Sequence, residues 1–194
     1  TDVSASDFTA GWIPVVVAQY KFYRDVLKDY PNLAGIVNIT LPDLQGAFDN
    51  LELIRGSDIF LDMYTQKELF LEAMGVVMKA QSGLAKHLSQ YTEEKYAGFT
   101  HQHGFPLKGG ILIRTDTSIM VSPDMYREII SPFDEAVLKE LGGGIHSCGD
   151  INTILPEYLA LESIECFDFG QSELNDVENI YSLAAERKIP LMRV

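Results

Sequence analysis

The sequence predicts an α/β fold in which helices join parallel strands, and three observations carry that expectation. Short β-rich runs alternate with stretches of helical periodicity along the chain. Capping residues and prolines fall at the joints between them. The order is strand then helix, repeated, with about five strands and a helix between each pair, which argues a parallel sheet with right-handed crossovers. The expected unit is a single domain over residues 1–194.

The first helix is expected from Trp12 to Tyr30, where Val16, Tyr20, Tyr23 and Leu27 recur at helical spacing until Pro31 stops the pattern. Gly35 to Thr40 reads as a strand, and Pro42-Asp43 as the opening of a helical stretch that ends near Gly56. Thr65 and Glu68 have the spacing of a capping box, and Leu69, Ala73, Val76, Ala80, Leu84 and Leu88 follow on one face. A long helix over Thr65 to Gln90 is therefore predicted. Gly109 to Asp116 forms the next strand, after which Ser122-Pro123 is an N-cap with proline at the first helical position. That helix carries Met125, Ile129, Phe133, Val137 and Leu141, and Pro132 should kink or restart it because proline lacks a backbone donor. A glycine triplet, 142 to 144, leads into a strand through His146 and Cys148. A short helix from Asn152 to Leu161, a strand from Ser163 to Phe169, a helix capped by Asn175 with Glu178, and a strand starting at Ile189 complete the pattern.

Composition excludes several function classes. With 28 acidic and 15 basic residues the net charge is −13, which repels phosphate backbones and leaves no basic stripe for nucleic acid. The apolar run from Trp12 to Ala18 is far too short to span a membrane and lacks a signal peptide's basic flank and cleavage site. Two cysteines permit one disulfide at most, and a reducing cytoplasm fits best. The chain opens on Thr1 and closes on a strand-like run at Val194, so both ends are expected to be cuts through a longer protein.

A doubly wound sheet and part of an eight-stranded barrel both fit this order. Neither glycine fingerprint for phosphate binding occurs. In both architectures ligands bind at the carboxyl ends of the strands, which directs attention to Asn38, Asp116, His146, Cys148 and Asp168. Residues i and i+2 of a strand share a face, so His146 and Cys148 could hold one metal ion, and a borderline nitrogen with a soft sulfur suits zinc. The same pair could be a cysteine nucleophile with a histidine base, or could simply pack. Asp116 and Asp168 close apolar strands, where a carboxylate must be paired; each is a candidate for acid–base work, for orienting a ligand, or for a helix cap. Cys166, a lesser candidate for a metal ligand, is expected deeper in the sheet as a small hydrophobe; His101-Gln102-His103 has the look of a metal pair but is expected as a solvated loop at the amino end of the sheet; and His87 is expected as a surface or boundary residue.

Ser122-Pro123-Asp124-Met125-Tyr126-Arg127-Glu128 with Ser131-Pro132-Phe133, followed by Ile145-His146-Ser147-Cys148-Gly149-Asp150, resembles the uroporphyrinogen decarboxylase superfamily. Pro42, Gly46 and the run from Leu53 through Asp58 to Tyr64 extend the likeness upstream. The resemblance implies the middle-to-late part of an eight-stranded α/β barrel. The histidine-x-cysteine-glycine motif is similar to that of the methyltransferase-type members, in which it supplies two zinc ligands and a later cysteine the third. It implies that His146 and Cys148 bind zinc, that Asp116 and Asp168 line the pocket, and that a zinc-bound thiol takes a methyl group from a corrinoid, free or on a corrinoid protein. Other members imply decarboxylation of a tetrapyrrole polycarboxylate, for which Arg114 is the one basic residue near a predicted strand end. A third expectation is a non-catalytic binding protein of a corrinoid pathway. Five strands cannot close the barrel, so a larger parent chain or an oligomer is expected to supply the rest.

Overall fold

The computed structural model describes residues 7–94 and 96–192. Helix α1 (Ile13–Lys28) and a single turn α2 (Pro31–Ala34) lead through an extended segment to α3 (Ala47–Arg55), α4 (Ile59–Thr65) and the long α5 (Lys67–Ser89). A hairpin of β1 (Phe99–Gln102) and β2 (Phe105–Lys108) precedes β3 (Ile111–Arg114). A 3-10 turn at Asp116–Met120, the short α6 (Pro123–Met125) and α7 (Ser131–Leu141) connect β3 to β4 (Gly143–Ser147). Then α8 (Leu155–Leu159) leads to β5 (Cys166–Phe169) and the final α9 (Val177–Arg187). Among the described residues no helix is long and apolar enough to cross a membrane.

The architecture is mixed α/β, built on a parallel sheet of three strands in the order β3-β4-β5. Gln45 makes a parallel bridge to Arg114 on one flank and Leu191 one to Phe167 on the other, so spatial order follows chain order with no reversal. Side chains alternate across the sheet. Ile111, Ile113, Ile145, Phe167 and Phe169 pack with Phe48, Met74, Tyr126, Val137 and Tyr158 from the helices. Burial of each such side chain stabilises the fold by roughly 1.5–3 kcal/mol. The opposite face carries two cross-strand rows, Leu112–Gly144–Cys166 and, one pleat closer to the carboxyl ends, Arg114–His146–Asp168.

The hairpin lies over that second face. Its turn residues His103 and Gly104 both have positive φ, 52° and 83°, as a two-residue hairpin loop with the right twist requires. Leu107 of β2 packs on Leu112 and Cys166, and Gln102 Nε2 donates to the Leu41 carbonyl at 3.2 Å. A hairpin whose second strand ends just before β3 must carry its tip toward the far, carboxyl end of the sheet. The expected solvated loop at the amino end is therefore a structured element that reaches the strand ends.

Several expected elements form with shifted boundaries. Gly35 to Thr40 makes no strand; Ile39 forms a single antiparallel bridge to Glu93, and the flank of the sheet falls at Gln45 instead. Gly46 permits this approach, because a β-carbon there would lie 2.8 Å from the Arg114 carbonyl oxygen. Thr65 ends α4 and donates to the Leu61 carbonyl, so the capping box with Glu68 is not made. Pro132 restarts the helix as expected: a wide π turn at Tyr126–Ile130 precedes it and α7 begins at Ser131. Ser122 caps α6 by accepting from the Met125 N–H. Asp176 rather than Asn175 caps α9. The strand expected from Ile189 is reduced to the Leu191 bridge, and its last two residues lie outside the described ones.

Candidate metal centre

The strand register places the site. Arg114, His146 and Asp168 are Cα partners across β3, β4 and β5, and Cys148 follows one pleat beyond His146. His146 Nδ1 lies 2.7 Å from Asp168 Oδ2, and its Nε2 lies 3.2 Å from Cys148 Sγ. The imidazole and thiol thus converge on one side of the sheet. Gly170 allows this, since a β-carbon there would sit 3.0 Å from Cys148 Sγ.

Asp116 approaches from the loop after β3. Its Oδ1 accepts the Cys148 N–H at 2.6 Å and stands 3.9 Å from His146 Nε2. Two anchors hold this loop: Thr115 N–H donates to the His146 carbonyl at 2.9 Å, and Thr117 N–H donates to Asp49 Oδ1 at 2.9 Å. On the other side Asn175 pins the 148–151 turn, accepting from Ile151 N–H and donating to the Gly149 carbonyl, both at 2.9 Å. Asn175 was expected to be a helix cap, and it serves the site loop instead.

Ligand atoms of Asp116, His146 and Cys148 all lie within 4.8 Å of one another. One carboxylate oxygen, one imidazole nitrogen and one cysteine sulfur form a donor set that zinc accepts, leaving room for a further ligand. His146 is buried, Cys148 is partly buried and the Asp116 side chain is 41% exposed, so the cluster is walled on the sheet side and open toward solvent at Asp116. Asp168 is fully buried and meets this cluster through His146. A second group of possible ligands, His103, His146 and Asp168, has its facing atoms engaged with one another: His103 Nδ1 and His146 Nδ1 both meet Asp168 Oδ2.

His103 reaches the site from the hairpin tip. Its Nδ1 is 3.0 Å from Asp168 Oδ2, its Nε2 is 2.8 Å from Arg114 Nη2, and its ring meets His146 edge-on at 5.2 Å. Arg114 also pairs with Asp43 and lies 3.4 Å from Gln102 Oε1. A local sequence signal for this existed: Arg114 closes a strand whose other residues are all apolar, so a charge inside had to find partners. The His103 side of the arrangement depends on the hairpin fold; its local signal, the His-Gln-His spacing, precedes β3 and so suggested the amino end of the sheet.

The remaining candidates lie elsewhere. Asn38 borders an apolar cleft of about 660 Å³ between α1 and the 37–42 segment. Cys166 is buried against Leu107, Leu112 and Met192, and burial pushes its thiol up to about 12. His101 Nδ1 meets Glu94 at 2.6 Å, and His87 stacks on Phe8.

The fold and site together define a parallel α/β protein with a histidine–cysteine–carboxylate cluster at its strand ends. No family model, no curated protein and no solved structure matches the chain.

Proposed function

We propose that this chain carries a zinc centre on His146, Cys148 and Asp116, and that the centre binds a thiol acceptor and readies it to take a methyl group from a corrinoid donor. The observation that carries the metal reading is the convergence of three donor atoms of different type on one point, with His146 oriented by Asp168. The charge balance agrees. The Asp116 carboxylate and the Cys148 thiol face one imidazole nitrogen, and a divalent cation there would replace the thiol proton and balance the carboxylate. When bound, zinc supplies Lewis acidity that keeps the acceptor sulfur as thiolate at neutral pH. A thiol acceptor held there would form the new S–C bond as the donor's methyl–metal bond breaks, with that bond's electron pair left on the donor. Methyl transfer is the element of this reading that rests on the resemblance of the Ile145-to-Asp150 motif to methyltransferase-type barrels.

The topology supports the barrel part of the same reading. A doubly wound sheet reverses its strand order at a switch point, whereas here the order runs without reversal from Gln45 through β3, β4 and β5 to Leu191. Helices cover one face, and in such a barrel the face bearing Arg114, His146 and Asp168 would be the interior one.

One observation favours a second reading. Cys148, His146 and Asp168 line up as nucleophile, base and orienting carboxylate, with separations of 3.2 and 2.7 Å. The surroundings oppose acyl transfer. The Cys148 N–H is taken by Asp116 and the Gly149 N–H by Gln171, so the two amides nearest the sulfur are occupied rather than free to stabilise an oxyanion. Decarboxylation of a polycarboxylate is also disfavoured, because Arg114 is buried and engaged by Asp43 and His103.

Elemental analysis of the purified protein tests the proposal. The expected result is about one equivalent of zinc, lost in Cys148→Ser together with methyl transfer from methylcobalamin to a small thiol. Full zinc content in that variant would reject the ligand assignment. Zinc binding without transfer to any thiol tried would reject the chemistry and keep the centre.

A further inference from the structure

The hydrogen bonds behind His146 form a directed series whose first member leaves no freedom. A guanidinium only donates, so His103 Nε2, 2.8 Å from Arg114 Nη2, must be an acceptor and the His103 proton must sit on Nδ1. That N–H donates to Asp168 Oδ2 at 3.0 Å. His146 Nδ1 lies 2.7 Å from the same oxygen; a lone pair there would face the carboxylate, so His146 also carries its proton on Nδ1. What remains on His146 is the Nε2 lone pair, directed at Cys148 Sγ and Asp116.

We propose that Arg114 and His103 are positioning residues that clamp Asp168 and thereby hold His146 with its Nε2 lone pair turned to the metal centre. Asp168 is fully buried, and its Oδ2 meets the Nδ1 atoms of both His103 and His146. The clamp comes from separate parts of the chain: Arg114 from β3, His103 from the hairpin tip, Asp168 from β5. Asp43, whose side chain is 60% exposed, closes the series by pairing with the buried Arg114. The hairpin is thus a structural arm of the site, since removal of its tip residue breaks the series without touching any proposed ligand. The consequence for metal affinity rests on the zinc reading above, whereas the protonation pattern does not.

The test uses the full chain, three single variants and one double variant. His103→Asn keeps the turn, because asparagine tolerates the left-handed conformation that residue 103 adopts (φ 52°), and its amide is too short to bridge Arg114 to Asp168. Arg114→Met removes the first donor, and Arg114→Lys keeps one. Zinc affinity is measured by competition with a chromophoric chelator, and imidazole protonation by nitrogen-15 NMR of the metal-free protein at pH about 8.5, above the ordinary histidine range. In the wild-type protein both His103 and His146 should show the proton on Nδ1. His103→Asn should bind zinc about 10–100-fold more weakly, the usual size of such outer-shell effects, and should lose the protected His146 Nδ1–H signal. Arg114→Met should cost a similar factor alone but little on the His103→Asn background, and Arg114→Lys should retain most of the affinity. A His146 proton on Nε2, or a His103→Asn protein with unchanged zinc affinity and an unchanged Nδ1–H signal, would overturn the clamp. A wild-type protein that binds no zinc would reject the zinc reading, and the NMR pattern would still decide the clamp.

Discussion

Cys148 and Cys166 sit on the same face of the sheet, on neighbouring strands, yet they have different chemistry. Cys148 stands past the end of β4 with His146 Nε2 3.2 Å away. Cys166 lies two rows deeper, sealed by Leu107, Leu112 and Met192, where desolvation, then the charges of Asp168 and Glu165, push its thiol up to about 12. Iodoacetamide at pH about 8 should therefore label Cys148 in the folded, metal-free protein and spare Cys166 until denaturant is added. Zinc should protect Cys148. Mass spectrometry of tryptic peptides reads both outcomes, and rapid labelling of Cys166 in the folded state would contradict the assigned depth. At this scale the sequence was informative: the two-residue spacing of His146 and Cys148, and the position of Cys166 four residues before Gly170, indicated which thiol faces the site.

Behind the sheet, α3 and α7 each carry a buried carboxylate. Asp49 and Asp134 are 4% and 1% exposed. Desolvation raises both to about 7; the Thr117 N–H partly offsets it at Asp49 and the Tyr126 hydroxyl at Asp134. In the unfolded chain these groups ionise near 4, so between pH about 4 and 7 the folded state binds more protons than the unfolded one. Their contribution is fully present at the acid end, falls as pH rises through that window and is constant above it. Asp134→Asn keeps the acceptor for Tyr126 and removes the ionisation. It should reduce the slope to the part that Asp49 contributes and raise stability by about 1–2 kcal/mol at pH about 8, after allowing for one buried amide donor left to find a partner. Urea unfolding at several pH values measures it, and an unchanged slope would contradict the assignment. Nothing local in the sequence marks Asp49 or Asp134 as buried, since each shares an amphipathic helix with other acidic residues, Glu52 on α3 and Glu135 and Glu140 on α7. The hairpin is the other element that was not legible. Phe99 to Lys108 has weak alternation and a His-Gly turn, so its approach to the sheet depends on tertiary packing through Leu107 and Gln102.

For the whole molecule, the strand-helix order was legible because proline, serine caps and apolar runs mark β3, α7, β4 and β5 in sequence. The Leu191 flank falls within the strand expected from Ile189, whereas the Gln45 flank was not legible, because it contributes a single bridge and no periodicity can be read from one residue. What unites the scales is a register: three parallel strands align Arg114, His146 and Asp168, and the loops beyond them bring Asp116 and Cys148 to the same point. The zinc K-edge absorption spectrum of the protein loaded with one equivalent of metal tests this convergence most directly. The account predicts one sulfur at about 2.3 Å with nitrogen and oxygen ligands at about 2.0–2.2 Å, and loss of the sulfur shell in Cys148→Ser. A spectrum with no sulfur shell, or one unchanged by that substitution, would contradict it.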